Sequence, residues 1–181
     1  AGGLGDIGKK IVEVLLKSDA NVKVLYYSNK YEDRSKSEST NNFIEILHTD
    51  YSSHEKLLEM FKKNSQKNMR NCLISLVGSG KMEGEFPYTR KEVQRIWDIN
   101  YFFNRNLATA ITKFLSENDA YNQEGEASHI FTSSIASSKN VNAPIDYSAA
   151  KGALEIFIKN LSNYIAPKQR INTISPGHIY T

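Results

Sequence analysis

The chain has 181 residues, 40% hydrophobic and 24% charged, an ordinary balance for a globular domain with a substantial buried core. Its net charge of +3 comes from 23 basic and 20 acidic residues spread along the chain, too mild and too even for a nucleic-acid-binding surface. A lone cysteine, Cys72, excludes an internal disulfide, and no apolar run approaches the ~20 residues of a membrane helix.

The chain opens on Ala1-Gly2-Gly3-Leu4-Gly5-Asp6-Ile7-Gly8, followed by Ile11, Val14 and Leu15, which continue from Ile7 at helical spacing. A glycine turn that opens a helix lets backbone N–H groups approach a pyrophosphate, whose charge the helix N-terminus favours. Residues 22–27 and 43–47 are apolar runs with strand composition. Ser52 with Glu55 reads as a capping box for a helix carrying Leu57, Leu58 and Phe61. Residues 72–77 form a continuous apolar run, as expected of a strand covered on both faces, with Cys72 as a packed core thiol. Thr89 with Glu92 reads as a second capping box, opening one long helix with Val93, Ile96, Trp97, Phe103, Leu107, Ile111 and Phe114 on a stripe. Residues 129–132 and 171–174 are further strands. Residues 32–42 and 116–126 are polar and loop-like. Strand–helix alternation predicts α/β architecture, a doubly wound parallel sheet with helices on both faces, in one domain over residues 1–181.

Between the last two strands lies Asp146-Tyr147-Ser148-Ala149-Ala150-Lys151. On a helix, Tyr147 and Lys151 share one face. A free tyrosine, with a pKa of about 10, transfers protons poorly at neutral pH, and an adjacent cation stabilises the phenolate. Ser134, thirteen positions before Tyr147, offers a hydroxyl to hold a substrate oxygen. His48 and His129 at strand edges, His54 at a helix start and His178 share no metal-ligand spacing, so no metal is expected.

These motifs resemble, along residues 1–181, those of the short-chain dehydrogenase/reductase family, in its simple, 3-oxoacyl-carrier-protein-reductase-like type. Ile130-Phe131-Thr132-Ser133-Ser134 matches its strand-ending serine, Ile99-Asn100-Tyr101 after Trp97-Asp98 its helical asparagine, and Pro176-Gly177-His178-Ile179-Tyr180-Thr181 its P-G-x-I-x-T motif. The resemblance implies a Rossmann-like three-layer α/β/α fold and a catalytic tetrad of Asn100, Ser134, Tyr147 and Lys151, with Asn100 holding a water that links Lys151 to solvent. It implies a dinucleotide site in which Gly2, Gly5, Asp6, Ile7 and Gly8 surround the pyrophosphate, and Asp50 and Tyr51 flank the adenine. Gly78 lies alongside, Tyr147 and Lys151 reach the nicotinamide ribose, and Pro176, Gly177, Ile179 and Thr181 hold the carboxamide. Ser28, Asn29 and Lys30 follow the first predicted strand, with no acid until Glu32, which favours NADP over NAD.

Two departures stand out. Asp6 replaces a glycine of the common family fingerprint, so the turn follows a G-x-x-G-x-x-G variant. Ser75-Leu76-Val77-Gly78 replaces the family's N-N-A-G, so polar bracing of that turn is expected to be missing. Relatives also have a strand before the glycine turn, and a substrate lid and final strand after the P-G-x-I-x-T motif. The 181 residues therefore read as a domain lacking its first and last strands.

The implied activity is NAD(P)-dependent hydride transfer to or from a small carbonyl or alcohol substrate, in the cytoplasm, by a homodimer or homotetramer paired through the helices of Asn100 and Tyr147. The alternatives are a nucleotide-sugar epimerase or dehydratase of the extended branch, suggested by the glycine spacing, and a non-catalytic nucleotide sensor or scaffold, against which the retained tetrad counts. The polar segment 137–146, with Lys139, Asn140 and Asn142, favours a polar or anionic substrate.

Overall fold

The computed structural model describes residues 1–25, 50–65, 67, 70–118 and 127–180, together with the backbone of 26 and 44–48. The segment 32–42 and most of 116–126 lie outside these residues, apart from the end of the helix before 118. Among the described residues the strands are β1 (Val22–Tyr26), β2 (Ile44–His48), β3 (Leu73–Ser75), β4 (Ala127–Thr132) and β5 (Gln169–Ile174). All pair in parallel, β1 with β2 and β3 with β4 with β5, with Val24 opposite Ile46, Leu73 opposite His129 and Phe131 opposite Thr173. The two groups meet through the start of the chain. Gly2 N–H donates to Leu25 O (3.0 Å), the Ala1 nitrogen donates to Ile74 O (2.6 Å) and Leu76 N–H donates to Ala1 O (2.9 Å). Ala1 and Gly2 thus join β1 to β3 at the carboxyl ends of both strands. Beside them runs a slot of about 670 Å³ lined by Ile11, Leu15, Val22, Leu73 and Ile111. Cys72 also lines it and is exposed. The expectation of a packed core thiol is therefore wrong, because β3 begins one residue later and Cys72 falls on the rim.

The helices are α1 (Asp6–Lys17), α2 (His54–Asn64), α3 (Arg90–Trp97), α4 (Phe103–Ser116) and α5 (Ile145–Ile165). The cap of α2 is Ser53, whose Oγ accepts from Lys56 N–H. Ser52, the expected cap, instead donates to the Asp50 carboxylate. Thr89 does cap α3, accepting from Glu92 N–H (3.3 Å). The expected single long helix is interrupted by a π-helical turn at Asp98–Phe102, between α3 and α4. Such turns arise where side chains compete for the helical ladder and are common at functional sites; here Asn100 and Asn104 do so. Leu107, Ile111 and Phe114 of α4 and Leu154 and Ile158 of α5 bury themselves against Phe131 and Ile171 of the sheet. Each such side chain contributes about 1.5–3 kcal/mol of transfer free energy. The result is a Rossmann-like α/β fold with a parallel sheet.

His129 lies on the middle strand of its three and is fully buried, not at a strand edge. Leu73 N–H donates to its Nδ1 (3.2 Å), which leaves Nε2 to donate to Gln169 Oε1 (3.3 Å). Gln169 Nε2 in turn donates to Thr112 O and Ser116 Oγ, both at 2.9 Å. Burial lowers the His129 pKa from 6.5 to about 4, outweighing the Gln169 hydrogen bond. The unfolded chain therefore binds this proton more readily than the folded one. The associated stability is intact above pH 6.5 and is lost as pH falls towards 4. The urea midpoint is expected to drop between about pH 7 and about pH 5, and to drop less in His129→Gln; equal slopes in the two proteins would contradict this role.

Candidate active site

The glycine turn sits at the carboxyl ends of β1 and β3. Gly2 adopts φ +75°, and a methyl there would lie 3.0 Å from the Leu76 carbonyl carbon. A methyl at Gly8 would lie 2.6 Å from Gly2 O, Gly3 C and Gly3 Cα. Gly2 is thus held by its left-handed backbone and the Leu76 segment, and Gly8 by the turn folding onto the start of α1, so neither position admits a side chain. Gly5 is the N-cap of α1 and makes no side-chain cap, and a methyl there would meet only Gly2 O, at 3.7 Å. Asp6 and Ile7 begin the helix, both exposed. The first-turn N–H groups have no intrahelical partner.

After β3 the chain runs Leu76-Val77-Gly78-Ser79-Gly80 beneath the π-turn. Asn100, fully buried, donates from Nδ2 to Ser79 O and Ile96 O (both 2.9 Å) and accepts Ser79 N–H at Oδ1 (3.1 Å). Asn104, also fully buried, accepts Ser75 Oγ–H (2.7 Å) and donates to Val77 O, Ile99 O and Asn100 O at 3.1–3.2 Å. Farther along, Glu92 accepts Glu83 N–H (2.8 Å) and pairs with Arg95, which also donates to Lys81 O (2.5 Å). The expectation of a turn without polar bracing is thus corrected: the bracing comes from α3, the π-turn and the start of α4.

Lys151, on α5, is 2% exposed. Its Nζ donates to Thr132 O (2.8 Å) and Val77 O (3.5 Å) and lies 5.9 Å from the Tyr147 ring centroid. Burial lowers its pKa to about 8. A methyl at Gly78 would lie 2.7 Å from Lys151 Nζ and 3.1 Å from Asn100 Oδ1, and one at Gly80 would lie 3.7 Å from the Tyr147 ring. Gly78 is therefore glycine because two polar side chains converge on its backbone. Ser134, two residues past the end of β4, caps a short turn, Ile135–Ser137, accepting Ala136 N–H (3.2 Å). Next to it Ser133 Oγ donates to Lys151 O (3.2 Å). Ile135 N–H donates to Pro176 O (3.1 Å) and Ser133 N–H to Ile174 O (2.7 Å), so the Pro176-Gly177 turn lies against the Ser134 turn. Ile179 and His178 follow, exposed.

Asp50 lies just before α2, its carboxylate accepting Ser52 N–H (3.0 Å), Ser52 Oγ–H (2.6 Å) and Lys56 Nζ–H (3.4 Å). The Ser52 hydrogen bonds hold it below the usual carboxylate range. Tyr51 is buried in the core, its ring centroid 6.0 Å from that of Phe103. Its side chain is a packing element, so only its backbone can serve a ligand. Ser28, Asn29, Lys30 and Thr181 lie outside the described residues. The structure thus brings Asn100, Lys151, Tyr147, Gly78 and Gly80 together, with the Ser134 and Pro176 turns alongside. Sequence reasoning missed Asn104 and the Glu92–Arg95 pair. Asn104 left one signal, an amide four residues after Asn100 on an otherwise apolar stripe.

A family model for short chain dehydrogenases matches residues 1–181, and the chain belongs to that family. Among curated proteins it is 27% identical, over 192 residues, to the uncharacterized oxidoreductase YhxC of Bacillus subtilis (strain 168), covering 99% of this chain. The chain spans 62% of the length of that relative. Among solved structures it resembles a short chain dehydrogenase from Leptospira borgpetersenii with bound NAD+ (TM-score 0.80, 24% identity), covering 99% of this chain and 70% of that one. It also resembles an NADPH-dependent 3-quinuclidinone reductase from Rhodotorula rubra (TM-score 0.76, 22% identity), covering 98% and 67%. At these identities the structures establish the shared fold.

Removing the Asn104 amide leaves Ser75 Oγ and the Ile99 carbonyl without this partner and the Val77 carbonyl with only the longer bond from Lys151 Nζ. Asn104→Ala is expected to cost roughly 2–3 kcal/mol in urea unfolding. Asn160→Ala, at an exposed site on α5, should stay within about 0.5 kcal/mol of the parent.

Proposed function

We propose that the chain forms the nucleotide-binding and proton-transfer part of an NAD(P)-dependent oxidoreductase of the simple reductase type, acting on a small carbonyl or alcohol. The observation that carries this reading is the buried Lys151 amine, anchored on Thr132 O at 2.8 Å and 5.9 Å from the Tyr147 ring. Family membership over residues 1–181 supports it. The chain's residues also fit a dinucleotide. The first-turn N–H groups of α1 lack a side-chain cap, and the turn is stripped of side chains at Gly2, Gly5 and Gly8, which suits a pyrophosphate. Asp50 would flank the adenine, Lys151 and Tyr147 the ribose, and the Pro176-Gly177 turn with Ile179 the carboxamide. Bound there, the nicotinamide supplies or accepts a hydride at C4.

Every other role falls to the chain itself. In reduction, Tyr147 Oη gives its proton to the substrate oxygen, and in the reverse direction takes it. Ser134 Oγ steadies that oxygen by a hydrogen bond. The Lys151 cation, poorly screened by solvent, stabilises negative charge on the phenol oxygen. Asn100 Oδ1 spends one lone pair on Ser79 N–H and keeps the other for the water expected to link Lys151 to solvent. NADP is proposed ahead of NAD because Ser28, Asn29 and Lys30 place no acid after β1. A homodimer or homotetramer and a polar or anionic substrate extend the same reading. The extended-branch alternative draws on the glycine spacing, yet Gly5, the residue that sets that spacing, is not sterically required.

With the intact protein, oxidation of NADPH or NADH against a carbonyl panel should identify a substrate. Tyr147→Phe should then lower kcat by ~10²–10⁴-fold while nucleotide affinity, followed by fluorescence, stays unchanged; full turnover by that variant would refute the role. Lys151 is charged below about pH 8 and neutral above it. Turnover that depends on the cation should therefore decline as pH rises through about 8.

A further inference from the structure

Glu155 stands one helical turn beyond Lys151 on α5. Its Oε1 accepts hydroxyl hydrogen bonds from two turns that leave different strands. One comes from Ser137 (2.8 Å), in the turn that Ser134 caps, and the other from Ser175, immediately before Pro176-Gly177. Burial opposes the charge on this carboxyl, but hydrogen bonds from Ser175, Ser137 and Ser133 outweigh it and hold the pKa below the usual carboxylate range. Ser133 also reaches the Lys151 carbonyl. One carboxylate therefore ties together α5, which carries Tyr147 and Lys151, the Ser134 turn that closes β4 and the Pro176 turn that closes β5.

We propose that Glu155 is a positioning residue, clamping the Ser134 turn and the Pro176-Gly177 turn onto the helix face that presents Tyr147 and Lys151. The inference rests on the oxidoreductase reading for its catalytic consequence, but its structural half does not. Ser137 Oγ also lies 2.7 Å from Ser134 O, so its single proton is divided between that carbonyl and Glu155. Losing the carboxylate would let Ser137 turn wholly to Ser134 O and leave Ser175 without its acceptor. The two turns would then keep their mutual backbone bonds, Ser133 N–H to Ile174 O and Ile135 N–H to Pro176 O, with the Ser133 hydroxyl on the Lys151 carbonyl as the remaining tie to α5, and would shift together relative to Tyr147. A misplacement of about 1 Å between reacting groups costs on the order of 100-fold in rate.

The test uses the intact protein and two independent readouts. Amide hydrogen exchange at Ile135 should accelerate on the order of tenfold in Glu155→Ala. It should accelerate comparably in the double variant Ser137→Ala/Ser175→Ala, which removes two of the three serine donors and leaves α5 untouched. Glu155→Gln, whose amide oxygen still accepts both hydroxyls, should restore most of the protection. In the carbonyl reductase assay, Glu155→Ala should lower kcat on the order of 10–100-fold with little change in nucleotide KM, and Glu155→Gln should recover most of it. Unchanged exchange at Ile135 would overturn the clamp. Faster exchange with wild-type kcat would overturn the positioning role. Because exchange needs no substrate, it judges the clamp even where the parent protein proves redox-inactive, so the two readings fail separately.

Discussion

The site depends on one arrangement, an ammonium group taken out of water and held by the ends of two strands. Desolvating a charge is expensive unless dipoles replace the lost water, and the Thr132 and Val77 carbonyls do this for Lys151. Both carbonyls lie at the carboxyl end of the β3–β4 pair, so the lysine can be satisfied only if α5 docks there. The docking in turn decides what else the chain admits. Gly78 must lack a side chain, since a methyl would fall 2.7 Å from Lys151 Nζ. Ser133 must face the helix, where its hydroxyl meets the Lys151 carbonyl. Helix position, strand ends and glycine placement are thus three expressions of a single electrostatic requirement.

The π-turn answers a second demand. An uninterrupted helix from Arg90 to Ser116 would satisfy its carbonyls internally and would have no reason to bury two asparagines. Asn100 and Asn104 instead spend their amides on Ile96, Ile99 and Asn100 carbonyls loosened by the wide turn, and on the strand-end segment from Ser75 to Ser79. Helix irregularity and loop order are exchanged for one another, leaving no buried amide on these residues unpaired. The Ser79-Gly80 segment is thereby held next to the Tyr147 ring, which couples a helix defect to the surroundings of that side chain.

Much of this was legible in residue order. Strand runs kept their places within a few residues, because apolar β-rich segments between turn residues have few other uses. The Tyr147–Lys151 pairing followed from helical spacing alone. Three features were hidden because they depend on contacts between distant segments. Asn104 gains its meaning only from Ser75 and Val77 across the fold, and Glu92, read as half of a capping box, is instead drawn to Arg95 and Glu83 N–H. Tyr51, beside an acidic residue in a promising position, turns inward because its ring finds Phe103. The Ser52 cap slipped to Ser53 for a comparable reason, the nearby Asp50 carboxylate being the better acceptor for Ser52.

The placement of acids around the site has its own logic. A carboxylate against Lys151 would neutralise its charge. Three acids near the strand ends are each committed elsewhere: Glu155 to serine hydroxyls, Glu92 to Arg95, and Asp50 to Ser52 and Lys56. Among the described residues, Lys151 meets carbonyl dipoles and no carboxylate. Dipoles stabilise the cation without cancelling its net charge, and its Nζ lies 5.9 Å from the centroid of the Tyr147 ring. Hydroxyls serve Glu155 in the same way, holding an anion in place without bringing a second cation towards α5.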